Sequence, residues 1–280
     1  MTTDLTRTDA ERFLVKFHHT YPGCTPQTFA QSRTASGDSI YDLLVKATPR
    51  GDRVLDLGCG DGYLLEQLVA AGHRPVDLYG IDLSTDELNR AKERPSLNGV
   101  TLHHSHAAAL PTATRSVDVV LTSLVLMLLD PIEPVADEIA RILRPGGELH
   151  ALIGGGPRIV GGSDASDIFL EELSKLARTA ETSMPQLGDR RTRDLDGLSQ
   201  IFSTQRGFTD LQLTDYYVSQ TASFETLWQQ LIALYERVLI GPQAMSELKT
   251  RVRERCHIHP AWEAGIPCSW AIRHFTATQL

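Results

Sequence analysis

The sequence predicts an α/β protein built on a mostly parallel sheet. Three observations predict it. Short apolar runs alternate with amphipathic ones, capping signals mark the junctions, and a glycine-rich turn joins the first run to the second. That turn lies in "VLDLGCGDGYLLEQL" (54–68), where Gly58, Gly60 and Gly62 take alternate positions. Strands and helices alternating at this interval require right-handed crossovers, with helices covering both faces of the sheet.

The elements follow in order. "TDAE" sets Thr8 and Glu11 as a capping box ahead of Phe13, Leu14 and Phe17, which predicts a first helix. The prolines and glycine of "TYPGCTP" (20–26) predict irregular backbone. Ile40, Leu43 and Leu44 predict a short helix before the turn "TPRGD". "RVLDLGC" reads as the first strand, and "YLLEQLVAAG" as a helix stopped by Gly72. "DLYGIDLS" is the second strand, and Ser84 with Glu87 forms another capping box. "GVTLHHSH" and "VDVVLTS" are the third and fourth strands, the latter apolar enough to be buried on both faces. "PVADEIARIL" is a helix stopped by "RPGG", and "ELHALIG" is the fifth strand.

Beyond Gly154 the rhythm changes. "GGGPRIVGG" (154–162) reads as a loop and lacks the Lys-Ser/Thr ending of a Walker-type phosphate loop. "SDASDIFLEELSKLARTAE" and "LDGLSQIF" are helical, and "GFTDLQLTDYYVS" is the sixth strand. "SFETLWQQLIALYERVLI" predicts one helix with Phe224, Leu227, Trp228, Leu231, Tyr235 and Val238 on a broad face. "CSWAIRHFTAT" is the final strand.

With 35 acidic against 27 basic residues, the 280-residue chain carries a formal net charge of −8. That balance argues against nucleic acid as the partner, since such proteins concentrate basic charge on one face. The densest basic stretch, "GDRRTRD" (188–194), reads as a solvated helix start. The opening segment lacks the apolar stretch of a signal peptide, and "VVLTSLVLMLL" falls short of the roughly 20 residues that span a bilayer. No membrane association is expected. Four cysteines without a CxxC pair suit a reducing cytoplasm. "CHIHP" clusters Cys256, His257 and His259, but a closed zinc site needs a second ligand pair, so no metal is expected.

A glycine turn between strand and helix lets a ligand approach the backbone and the positive helix end. The dinucleotide spacing is GxGxxG; here it is GxGxG, with Tyr63 where the third glycine of that pattern would stand. Asp56 lies inside an apolar strand, where a carboxylate must hold the turn or face a cation. Asp82 ends the second strand beside the turn, where a carboxylate can accept both hydroxyls of a ribose.

"VLDLGCGDG", "YGIDLS", "LPTATRSVDVVLTS" and "IARILRPGGEL" together resemble the successive motifs of class I S-adenosylmethionine-dependent methyltransferases, over residues 50–155. The resemblance implies a Rossmann-like seven-stranded sheet in the order 3-2-1-4-5-7-6, its last strand antiparallel. It implies S-adenosylmethionine as cofactor and S-adenosylhomocysteine as product. Gly58, Cys59 and Gly60 would line the methionine part, with Asp56 at the turn; Asp82 would hold the ribose and Leu83 pack on the adenine. Where many relatives carry "GDA" after the third strand, this chain has Ser105, His106 and Ala107, so His106 would meet the adenine amino group. Thr122 and Ser123 would lie near the sulfonium.

The acceptor is seen by the added segments. The expected division is a helical lid over 1–45, a cofactor-binding core over 46–155, and a remainder over 156–280 that completes the sheet. Helical cap insertions are expected at about 156–205 and 219–266. Candidate lid residues are His18, His19, Tyr21, Arg33, Tyr216, Trp228, Tyr235, His257 and Trp262. Among them His18, His19 and Tyr21, beside a constrained Pro-Gly loop, are the candidates for acid–base work or acceptor positioning. No "NPPY"-like segment follows strand four, which favours a small organic acceptor methylated on O, N or C over nucleic acid. Arginine outnumbers lysine, consistent with a GC-rich bacterial source and with specialised, natural-product metabolism. The alternatives are a cofactor-binding catalyst of cyclisation or rearrangement, a regulatory S-adenosylmethionine-binding protein, and a nicotinamide oxidoreductase. Monomer and homodimer both stay open.

Overall fold

The computed structural model describes residues 8–155, 164–178 and 183–280. The proposed loop at 154–162 therefore lies largely outside the described residues. Ahead of the sheet come α1 (Asp9–Thr20), α2 (Cys24–Phe29) and α3 (Ile40–Lys46). The first strands are β1 (Val54–Leu57), β2 (Leu78–Asp82), β3 (Thr101–His104) and β4 (Val117–Ser123). Between them run the crossovers α4 (Tyr63–Ala70) and α5 (Thr85–Lys92), and α6 (Glu133–Ile142) leads into β5 (Leu143–Gly154). Then come α7 (Ala165–Ala177), α8 (Leu195–Ile201), β6 (Phe208–Ala222), α9 (Phe224–Leu231), α10 (Pro242–His257) and β7 (Ile266–Gln279).

One sheet takes the order β3-β2-β1-β4-β5-β7-β6, as expected. Strands β1 to β5 pair in parallel, and β7 enters antiparallel between β5 and β6. The apolar strands bury side chains on both faces. Leu55, Leu57 and Val120 pack beneath Val135 and Ile139 of α6. On the other face Val54 and Leu121 pack with Leu64, Leu65 and Leu68 of α4. This double coverage holds the carboxyl ends of β1, β2 and β4 at one edge, where the glycine turn sits.

Four local readings are corrected. A short helix, α2, begins at Cys24 within the segment expected to be irregular; Gly23 at φ 66° turns the chain into it, and Pro26 stands in its first turn. "RPGG" belongs to β5, absorbed by a register shift between Val117 and Val119 with Gly146 at φ 78°. The second capping box is half formed: Ser84 accepts from the Glu87 N–H, but the Glu87 side chain turns to His18. The long helix after β6 ends at Leu231, and a separate 3-10 turn spans Tyr235–Leu239. Tyr235 therefore leaves the face it was expected to share with Leu231.

A third apolar cluster joins α7, α9 and α10, with Phe169, Leu227, Trp228, Leu248, Val252 and Cys256 at its centre. Trp228, a candidate lid contact, is core. Cys256 is buried there while His257 is exposed, so "CHIHP" does not converge. Among the described residues no group of three or more His, Cys, Asp and Glu could hold a metal ion. No helix among them is long and apolar enough to cross a membrane.

His150 of β5 and His274 of β7 share a hydrogen bond of 3.2 Å between Nδ1 and Nε2. Burial pushes both rings' pKa values down, that of His274 to about 4 with help from His150. The unfolded chain binds protons near 6.5 that the folded chain refuses, so stability is full above that pH and falls as pH drops from 6.5 toward 4. His274→Gln is expected to remove about 2–3 kcal/mol of this acid sensitivity. Urea melts at pH 7.5 and 5 check it; equal slopes in both proteins would show the pair has no part.

Candidate functional site

The site forms where β1 turns into α4. Gly58, Gly60 and Gly62 have φ of 75°, 52° and 80°, backbone that side-chain-bearing residues rarely adopt. The Gly58 and Cys59 N–H groups donate to the Ile81 carbonyl at 2.8 and 3.0 Å, which ties the turn to β2. Asp82 completes the tie: its carboxylate accepts from Gly60 N–H and Ser84 N–H, each at 2.8 Å. Burial pushes the Asp82 carboxyl up, partly offset by those two donors.

A cavity of about 140 Å³ opens against this turn. Asp56, Gly58, Cys59, Gly60, Asp82, Ser123 and His18 line it, seven of the residues singled out from the sequence. Asp56 is 1% exposed and its Oδ1 has no hydrogen-bond partner among the described residues. Desolvation, reinforced by the charge of Asp82, pushes its pKa to about 8. Ser123 and Glu87 also line the cavity, and Ser123 Oγ and Glu87 Oε2 have no hydrogen-bond partner among the described residues. Buried polar atoms are rarely left so, and three around one cavity are what a ligand bearing donors and positive charge would satisfy.

Not every candidate converges. His19 is exposed and bonds Asp86 at 2.8 Å. Tyr21 packs on Phe17 beneath the Arg237 guanidinium, 4.0 Å from its ring centre. Neither lines the cavity. Leu83 lies outside it, its carbonyl bonded to His104 Nε2 at 3.0 Å. His106 Nδ1 accepts from Ala108 N–H at 3.0 Å, so its Nε2 carries the proton and donates to Glu11. Both ring nitrogens are thus engaged within the chain. Ala107 packs against the core, and Thr122 is fully buried, its hydroxyl without a partner among the described residues. Of the other lid candidates, Arg33 Nη1 bonds the Ala30 carbonyl at 2.7 Å. Tyr216 sits by His274, and His257 meets the edge of Trp262.

Tyr235 does line the cavity, along with Glu87, Tyr41, Tyr63, Leu128 and Leu129. Glu87 carried a local capping reading that hid its role. His18 binds Glu87 Oε1 through Nδ1 and the Tyr235 hydroxyl through Nε2, both at 2.9 Å. Burial alone would lower the pKa of His18, but Tyr235, Cys24 and Glu87 outweigh it and hold the imidazole well above its ordinary range.

Fold and site together define an α/β protein with a ligand pocket at a strand-to-helix glycine turn, closed by an acid on the next strand. The family described as "Methyltransferase domain" matches residues 55–151, the segment that carries the glycine turn and Asp82. A ubiquinone biosynthesis O-methyltransferase from Cupriavidus pinatubonensis is 31% identical over 178 residues, 56% of this chain and 69% of that one. A fatty-acid O-methyltransferase from Mycolicibacterium smegmatis is 34% identical over 107 residues, 38% of this chain and 39% of its own length. The chain thus spans about two fifths of the length of the first curated relatives it matches. The fold is also that of phosphoethanolamine N-methyltransferase 2 from Haemonchus contortus in complex with S-adenosyl-L-methionine. That likeness has a TM-score of 0.55 at 18% identity, covering 98% of this chain and 60% of that one. The chain belongs to the class I S-adenosylmethionine-dependent methyltransferases.

Proposed function

We propose that this protein transfers a methyl group from S-adenosylmethionine to an O, N or C atom of a small organic molecule of specialised metabolism, in the cytoplasm. The observation that carries the reading is Asp56, a buried carboxyl at the glycine turn whose Oδ1 has no partner among the described residues. When bound, the cofactor supplies an electrophilic methyl carbon, so the protein's share is alignment and exclusion of water. Gly58, Cys59 and Gly60 would face the methionine part, Asp56 its positive charge, and Asp82 the ribose hydroxyls with lone pairs its two backbone donors leave free. Ser123, which lines the cavity, would stand toward the sulfonium. With His106 committed to Glu11 and Ala108, the adenine would meet Leu83 and the backbone at Ala107. Residues 1–45 and the helices from 156–205 and 219–266 would serve as the lid, and the net charge of −8 supports a small acceptor over nucleic acid.

Calorimetry tests this reading. S-adenosylhomocysteine is expected to bind with micromolar Kd, and NAD(P)H not at all; the reverse would refute the assignment. The sign of the pH dependence follows from Asp56, which holds its proton below about 8 in the unliganded site. A sulfonium favours the ionised form, so binding it releases that proton. Affinity for S-adenosylmethionine relative to the uncharged thioether is therefore expected to rise with pH, by up to about tenfold per unit below 8. Asp56→Asn should abolish the difference in slope.

A further inference from the structure

Four carboxyl side chains line the cavity, Asp56, Asp61, Asp82 and Glu87, and no lysine or arginine does among the described residues. Two of the four are answered within the chain. Arg94 pairs with the Asp61 carboxylate through Nη2, and its Nε donates to the Asp61 carbonyl at 2.6 Å. Asp82 accepts from the Gly60 and Ser84 N–H groups. Asp56 stands at the glycine turn, where the sulfonium would meet its free Oδ1. Glu87 comes from α5 and uses one oxygen only. Its Oε1 meets His18 Nδ1 at 2.9 Å and accepts from Gly23 N–H at 3.1 Å. Oε2 belongs to a residue 2% exposed and has no partner among the described residues. A buried carboxylate oxygen left bare costs free energy that a cation or a hydrogen-bond donor recovers.

Charge points the same way. With Asp56 ionised beside a bound sulfonium, four carboxylates face two cations, His18 and the Arg94 paired with Asp61. Were the His18 ring neutral, the excess would be larger. The cofactor's sulfonium and ammonium, set against its one carboxylate, add a single positive charge. One negative charge is left over, and Glu87 Oε2 is the oxygen left to meet its partner. Resting on the methyl-transfer reading, we propose that the acceptor is an apolar amine without an acidic group, bound and deprotonated by Glu87 and methylated on nitrogen. Such an amine is an ammonium ion at neutral pH and must lose a proton before it attacks. One of its N–H groups donates to Glu87 Oε2, and that proton passes to the carboxylate. The freed lone pair forms the bond to the methyl carbon while the carbon–sulfur bond breaks, its electron pair staying on sulfur. The product leaves as an N-methylammonium ion, and Glu87 returns its proton to solvent. The rings of Tyr41, Tyr63 and Tyr235 suit the ammonium, and Leu14, Leu128 and Leu129 its hydrocarbon part. An amine that also bears a phosphate or carboxylate would find no lysine or arginine in this lining. Glu87 is thus the catalytic residue on the acceptor side, held through Oε1 by His18 and Gly23.

The test uses protein saturated with S-adenosylhomocysteine, titrated calorimetrically with phenethylamine, phenethyl alcohol, hydrocinnamate and free phenylalanine. Phenethylamine is expected to bind at least about tenfold more tightly than each of the others, the usual advantage of a charged hydrogen bond. Glu87→Gln keeps the side-chain volume and removes the charge. It should weaken phenethylamine about ten- to hundredfold and leave phenethyl alcohol unchanged, with affinity for S-adenosylhomocysteine held within about twofold. With labelled S-adenosylmethionine, label should appear in N-methylphenethylamine, and kcat should fall at least about a hundredfold in Glu87→Gln. Should that variant fail to fold, the ranking of the four ligands on the unaltered protein decides. Retained S-adenosylhomocysteine binding with a preference for the alcohol, the acid or the amino acid, with no phenethylamine binding, or with a silent Glu87→Gln overturns this proposal alone. Failure of the unaltered protein to bind S-adenosylhomocysteine overturns the methyl-transfer reading and this proposal with it.

Discussion

Asp82→Ala is expected to abolish measurable S-adenosylhomocysteine binding, at least about a hundredfold loss, and to lower stability as well. The two losses have separate origins. The carboxylate would hold the ribose, and it also accepts the buried N–H groups of Gly60 and Ser84, at 2.8 Å each. Removing it strands both donors, at a cost of about 1–3 kcal/mol apiece before relaxation. A fall in Tm of roughly 5–10 °C is expected from scanning calorimetry. Asp82→Asn keeps one carbonyl acceptor and the side-chain volume, so it should lie between. Unchanged affinity in the alanine variant would remove Asp82 from the ligand site and leave it as a clamp on the turn.

Gly58→Ala and Gly60→Ala form a second comparison, in which neighbouring glycines are expected to fail differently. A Cβ at Gly58 would lie 2.4 Å from Val125 Cγ2 and 2.8 Å from Cγ1, with φ at 75°. Neither atom belongs to a long flexible side chain. Strain and overpacking together should cost about 2–5 kcal/mol, with ligand binding lost through a displaced turn. At Gly60 a Cβ meets no heavy atom within 4 Å, although φ is 52°. That variant should lose only about 1–2 kcal/mol of stability, from backbone strain. Its new methyl group enters the space by the cavity, so affinity should still fall steeply. Thermal melts with and without S-adenosylhomocysteine separate the two. A Gly60→Ala protein of undiminished affinity would show that the ligand does not press against the turn.

Much of the pocket was readable along the chain because it is built from local backbone. Glycines at alternate positions after an apolar run dictate a turn, and the run of strands dictates which edge the turn occupies. Asp56, Gly58, Gly60 and Asp82 could therefore be placed from neighbours a few residues away. Errors arose where a local rule met a distant partner. Glu87 satisfied a capping pattern, yet its carboxylate is claimed by His18, 69 residues earlier. The family resemblance put His106 at the adenine position, and in the structure Glu11, 95 residues away, meets its Nε2. Tyr235 kept helical spacing from Leu231, and the helix ended between them.

The same division accounts for the two halves of the function. Cofactor class follows from strand, turn and strand-end acid, whose geometry is imposed by φ and ψ preferences and by side-chain alternation. Those are properties of short stretches, and they survive in any context that forms the sheet. Another wall of the cavity rests on the meeting of α1, α5 and the turn at Tyr235, with His18 and Tyr235 217 residues apart. No short-range preference specifies that meeting. It is settled when three apolar surfaces pack against one another and the buried Glu87 side chain meets the His18 ring.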